Sequence, residues 1–346
     1  MSRSRARIAA PLVAAFALVI GAAPVAAHHA FTANFDVAKI VEVRGRITAL
    51  QWQNPHVLMT LQTAEGETWA VESQAKNLLE RTEIAASHFA VGSSVALAGY
   101  PARDGHGVFA LNALLGDGRE LILRAGRPAH FGGRQGSNPD NILAAGVSAD
   151  ATARAAGIFR VWSMQFAGEG RWRWPDSYPL TPAAAAAQAR FDPVRDFPLG
   201  DCGQKGMPWI MEQPFPMEIA RSGDDVVVRL EEGDVVRTIH MAGAAPATVA
   251  SSPYGYSVGR WDDGDLVVHT MAINARFLNS TGVPLTPAVT TDERFSLAAD
   301  GSRLNYMLTI VDAGTFTEPL VLAKYWVWRP GVDLQRYECK PDSAGR

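Results

Sequence analysis

Cysteine is nearly absent: only Cys202 and Cys339 occur in 346 residues. Neither stands in a CxxC or CxxCH pattern, which removes the dithiol redox motif, the thiolate zinc knuckle and covalent haem from consideration. The chain also lacks a glycine-rich phosphate loop, a GxGxxG run and an HExxH helix, so nothing points to nucleotide chemistry or zinc proteolysis. Positive charge is in short supply, with 32 Lys and Arg against 35 Asp and Glu. That balance argues against nucleic acid as a partner. After residue 27 no apolar run is long enough to span a bilayer. What remains is 47% hydrophobic and 19% charged, the composition of a packed globular protein.

The chain starts with Arg3, Arg5 and Arg7 and no acid, followed by an apolar stretch from Ile8 to Ala27. It ends in Val25-Ala26-Ala27, small residues where a signal peptidase reads. These features predict a signal peptide over 1–27, cleavage after Ala27, and a periplasmic or secreted protein with no membrane span left after cleavage. The competing reading, a membrane anchor, is weakened by Pro11, Pro24 and the many alanines. Loss of three arginines takes the formal charge from −3 to −6. The mature chain would then begin His28-His29-Ala30-Phe31. A terminal amine beside the His28 imidazole can chelate a metal, with His29 and a third imidazole completing a nitrogen set suited to copper(II). The plainer alternative is a polar terminus that frays. In an exported protein the two cysteines are expected to pair, Cys202 with Cys339, two buried thiols being the alternative.

Residues 28–125 read as a small β domain. Alternating runs lie near 39–52, 56–63, 67–72, 93–102, 107–115 and 118–123, with one helical run at 74–84 and a bulge expected at Gly45. Five or six short strands and one helix suit an OB-like barrel. Residues 126–156 are rich in Gly, Pro and Asn and read as a linker, with a short helix near its end. From 157 to 341 the pattern is hairpin after hairpin with tight Asp-Gly turns, after a helix at "LTPAAAAAQARF" capped by Thr181. Enough such strands close into a larger antiparallel barrel without edges. The predicted fold class is therefore all-β with few short helices.

His28, His29, Phe31 and "WQNPH" (Trp52 to His56) resemble the marks of exported bacterial domains of unknown function, with likeness running to about residue 125. Leu180-Thr181-Pro182, Gly206-Met207-Pro208 after Cys202, "GYSVGRW" and Tyr337-Glu338-Cys339 resemble those of a second uncharacterised exported family, calycin-like in the manner of lipocalins. Tyr256 and His269 depart from that family's usual His and Asp. The resemblance implies a fold and a compartment more than a chemistry. It adds weight to His56 as third ligand beside His28 and His29, against the reading that His56 satisfies a turn carbonyl.

"GYSVGRW" contains GxSxG, but the nucleophile elbow needs a strand-to-helix turn, and strand follows Ser257. His240, His269, Asn274, Glu293 and Asp312 lie in or beside predicted strands and are the candidate acid–base residues of a barrel cavity. Tyr256, Arg260, Trp261, Tyr306 and Trp326 are the candidate ligand-binding residues, with Arg260 and Trp261 expected to stack at a barrel end. For each of these a purely structural role competes. Two functions are expected. One is a protein that binds a lipophilic small molecule in the large barrel, with metal at its N-terminus. The other is a cofactor-independent isomerase, hydratase or cyclase acting on such a molecule in the same cavity.

Overall fold

A computed structural model describes residues 30–139, 150–164, 174–196, 202–203, 205–241, 243 and 245–341. The expected signal peptide, His28 and His29 lie outside the described residues.

The small domain carries β1 (Val41–Gln51), β2 (Leu58–Gln62), β3 (Thr68–Glu72), β4 (Ser94–Pro101) and β5 (Gly107–Leu115). Successive neighbours run β1-β2-β3-β5-β4 and back to β1, which closes a five-stranded barrel. Alternation sends Val43, Ile47, Leu61, Val71, Leu97 and Val108 inward. The expected bulge is displaced: the register shift between β1 and β2 falls between Ile47 and Ala49. Gly45 serves instead for close approach, because a Cβ there would lie 2.6 Å from the Gln62 carbonyl oxygen. The start of the expected linker folds back onto this domain. β6 (Arg119–Ile122) pairs with β5, and β7 (Arg134–Gln135) pairs with β6. The buried Glu120 carboxylate fastens the return by accepting from the backbone N–H groups of His130, Phe131 and Gly133.

The second domain is a closed nine-stranded barrel. Its strands are β8 (Val161–Met164), β9 (Met217–Ser222), β10 (Asp225–Leu230), β11 (Val235–His240), β12 (Tyr256–Asp262), β13 (Asp265–Met271), β14 (Thr290–Leu297), β15 (Arg303–Val311) and β16 (Leu320–Val327). Neighbours are antiparallel except β11 and β12, which run parallel. The chain between them, residues 241–255, is a crossover too long for a hairpin, as a parallel step requires. The capped helix is present at Pro182–Gln188, with Thr181 accepting from Ala184 N–H at 3.2 Å. Within the run of hairpins expected from 157 to 341, "WIME" departs from the strand pattern and forms a 3₁₀ turn at Trp209–Glu212. Pro214 and Pro216 just after it keep this stretch out of a ladder.

A disulfide joins Cys202 and Cys339, with Cα atoms 5.9 Å apart and 137 positions between them in sequence. In the chain-entropy account, closing such a loop contributes about 5 kcal/mol. The bridge does not tie the start of the large barrel to its last strand. Cys339 lies beyond β16, in a terminal strap over residues 332–341 that runs between the domains instead of forming a strand. Cys339 forms a β-bridge with Asn54 of the small barrel, and Lys340 N–H donates to the Asn54 carbonyl at 2.9 Å. On the other side, Tyr337 N–H donates to Asp234 Oδ1 at 3.0 Å and Gln335 N–H to Glu231 Oε2 at 2.9 Å. Ala75 and Leu78 of the small domain bury a joint apolar cluster with Phe215 and Tyr337.

Candidate functional site

The strap leaves a cleft of about 200 Å³ between the two barrels. The helix Lys76–Arg81 forms part of one wall, because its two faces serve different cores. Leu79 enters the small barrel, whereas Leu78 turns toward Phe215 and Tyr337. Those two rings pack edge to face with centroids 5.2 Å apart. The other wall is set by Gly206, where a Cβ would lie 2.6 Å from Ala275 Cβ and 2.7 Å from the Pro253 carbonyl oxygen. Only glycine allows this approach. Met207 N–H then donates to that carbonyl at 2.8 Å, which brings Lys205 and Tyr254 to the same cleft.

Polar groups gather at this point. Lys205 Nζ lies 2.6 Å from Glu232 Oε1. Glu232 Oε2 and the Tyr254 hydroxyl are buried with no hydrogen-bond partner among the described residues. Burial and the charge of Glu232 push the Tyr254 hydroxyl up to about 12, so it is a proton donor at neutral pH. His56 lines the same cleft, with its Nδ1 3.4 Å from Glu72 Oε1. The cleft thus offers a carboxylate acceptor, a phenol donor and an imidazole in a largely apolar wall. Buried polar groups are normally satisfied by protein, water or ligand, so these two atoms of the cleft lining are candidates for a partner from outside the chain.

The interior of the large barrel is packed with side chains. Trp162, Phe295, Leu308, Tyr306 and Trp326 are all almost fully buried there. At its centre lies an ion pair, Arg237 Nη2 to Glu293 Oε2 at 2.6 Å. Tyr306 donates to Glu293 Oε1 at 2.8 Å, and Thr270 and Ser257 complete the set. Ser257, on β12, meets an arginine and a threonine there and no histidine. Glu293, Tyr306 and Trp326 do converge, but within a filled core.

The other expected cavity residues are dispersed. On β13, Leu266, Val268 and Thr270 point inward, so His269 points out and meets Asp292 at 2.7 Å on the surface. His240 pairs with Asp225 at 3.0 Å and stacks on Tyr256, with centroids 4.6 Å apart. Asn274 is exposed. Buried Asp312 accepts from Thr286, Gly314 and Thr315, which is the work of a loop cap. Arg260 and Trp261 do not stack on each other: Arg260 lies 3.7 Å from Asp262, and Trp261 packs on Phe159. Among the described residues no group of three or more His, Cys, Asp or Glu side chains is placed to hold a metal. His56 has Glu72 beside it, while His28 and His29 lie outside the described residues.

Several residues escaped the sequence reading. Lys205, Glu232 and Tyr254 come from separate loops and carry no local signal. Lys324 had one: in "LVLAKYWV" it follows Leu320 and Leu322 at inward parity. It is buried, its Nζ lies 4.0 Å from the Trp326 ring centroid, and it donates to the Met211 carbonyl. Burial pushes it down to about 7, against the opposing charge of Glu212. Arg237 stands at the same parity between Val235 and Ile239.

Residues 15–109 match the model of a family of unknown function (DUF6152). No curated protein matches the chain. The matched stretch includes His28, His29 and Trp52 to His56, ends within β5, and leaves the nine-stranded barrel outside it.

Proposed function

We propose that the protein is exported and binds a small lipophilic molecule, not within the packed barrel but in the cleft between the barrels. The observation that carries this reading is the pair of buried, unpartnered atoms, Tyr254 Oη and Glu232 Oε2, set in a cleft with apolar walls. A ligand hydroxyl matches the chemistry of both, being able to accept from a phenol and to donate to a carboxylate. The volume is below the roughly 300–1,000 Å³ of sites for drug-sized ligands, so the ligand is small. Cyclohexanol and methylcyclohexane are matched probes in ligand-observed NMR. The alcohol should bind more tightly, and Tyr254→Phe should weaken it by about fivefold, the worth of one hydrogen bond. Equal binding of both probes, unaffected by the substitution, contradicts the reading.

Copper binding by His28, His29 and His56 retains one support. Phe31, two residues after His29, packs edge to face on Phe109 at 4.8 Å. Phe109 is the ladder partner of Glu72, the residue beside His56. The chain that follows the histidine pair therefore lies on the barrel face that also holds His56.

A further inference from the structure

A second concavity of about 350 Å³ lies beside the first and shares Leu78 and Pro214 with it. Two arginines, Arg81 and Arg329, line it. Arg81 uses one Nη, which donates to Glu231 Oε2 and to the Asp333 carbonyl. Its Nε is buried with no partner among the described residues. Arg329 is half-buried, and its guanidinium forms no ion pair or hydrogen bond among the described residues. Glu80 also lines the cleft, but its Oε1 accepts from Trp52 Nε1 at 2.9 Å. Glu231 is already matched to Arg81 and Asn77. Arg329 thus has no ion-pair partner among the described residues, although the Glu80 carboxylate keeps its charge in the same cleft. Burial, with the nearby Arg81 charge, lowers the Arg329 pKa. Two guanidinium groups that share a partly dry cleft repel each other, and an anion between them reverses the sign of that interaction.

We propose that this cleft binds a small oxyanion, gripped between Arg81 and Arg329. The planar fork of a guanidinium fits the paired oxygens of carboxylate or phosphate. The site is separate from the Tyr254 cleft and does not depend on what that cleft binds. Full mature protein is titrated calorimetrically with inorganic phosphate and, separately, with succinate, at matched ionic strength with chloride as control. One of the two should bind saturably at one site per chain, and which one does so identifies the source of the oxyanion. Arg329→Gln should lower that affinity about tenfold or more, since a charge-assisted contact is lost. Arg329→Lys should retain part of it, and Tyr254→Phe should leave it unchanged. Thermal unfolding of Arg329→Gln at the wild-type temperature establishes that the fold is intact. If neither anion saturates, or if Arg329→Gln binds as well as the wild type, the proposal is overturned.

Discussion

Asn77 of the small barrel donates to Glu231 Oε1 of the large barrel at 3.0 Å. Both side chains are buried. The same amide donates to the Arg336 carbonyl of the strap at 3.2 Å, and Asn54 Nδ2 donates to Asn77 Oδ1 at 2.9 Å. The Asn54 of the Asn-Pro-His motif is thus part of the seam between the domains.

Asn77→Leu should therefore act on the whole molecule. It leaves Glu231 and Asn54 short of partners in a dry interface, a cost of about 1–3 kcal/mol. Urea unfolding should show the loss, with the single transition broadening toward two as the barrels uncouple. A change within about 0.5 kcal/mol, the range of an ordinary surface substitution, would mean that the seam does not couple them.

Inside the large barrel the ion pair sets a different expectation. Glu293→Gln strands the Arg237 guanidinium, whose side chain is only 1% exposed, and should cost about 3–5 kcal/mol. Replacing both partners, Arg237→Met with Glu293→Leu, should cost less than the single change because no buried charge is left over. Chemical denaturation of the two variants decides, and the reverse order would refute this account of the core.

Lys324 makes stability depend on pH in a defined direction. Folded, it is pushed down to about 7; unfolded, a lysine titrates near 10.4. Between about pH 7 and 10 the unfolded chain therefore binds more protons, and stability rises with pH through that window. Below it both states are protonated and the contribution is flat. Lys324→Met should remove this rise when urea midpoints at pH 7 and pH 9 are compared. An unchanged slope would show that Lys324 is not the group responsible.

Much of the strand pattern was legible in the sequence, because alternation and turn residues act locally. β1 to β6 fall where the apolar alternation placed them, and Thr181 caps its helix as its position before Pro182 suggested. Apart from the Cys202–Cys339 pairing, the sequence said little where distant parts of the chain decide. The run around Tyr337 looks like a strand, yet it becomes a strap because Asn54 and Asp234, from different domains, both claim its backbone. His269 lay in a run apolar on both faces, so its outward direction could not be read. The cleft residues Lys205, Glu232 and Tyr254 meet only through the fit of Gly206 against Pro253 and Ala275, which no local pattern shows. Lys324 and Arg237 were legible in principle, as lone charges at inward positions of apolar strands.

Copper binding at the mature N-terminus predicts about one copper(II) per chain. Affinity should fall as pH drops through the histidine range, because ligating imidazoles must be neutral. One extra residue before His28 should abolish most of it by moving the amine, and His56→Ala should weaken it, whereas His240→Ala should not. Calorimetric titrations that show no difference among these variants would reduce the histidine pair to a polar tail.

The central claim is that the ligand sits between the barrels and not inside one. Intermolecular NOEs from bound cyclohexanol measure this directly. The account predicts contacts to the ring protons of Phe215, Tyr254 and Tyr337, which line the cleft. Contacts to Trp162, Phe295 and Trp326, the packed interior of the large barrel, would contradict it.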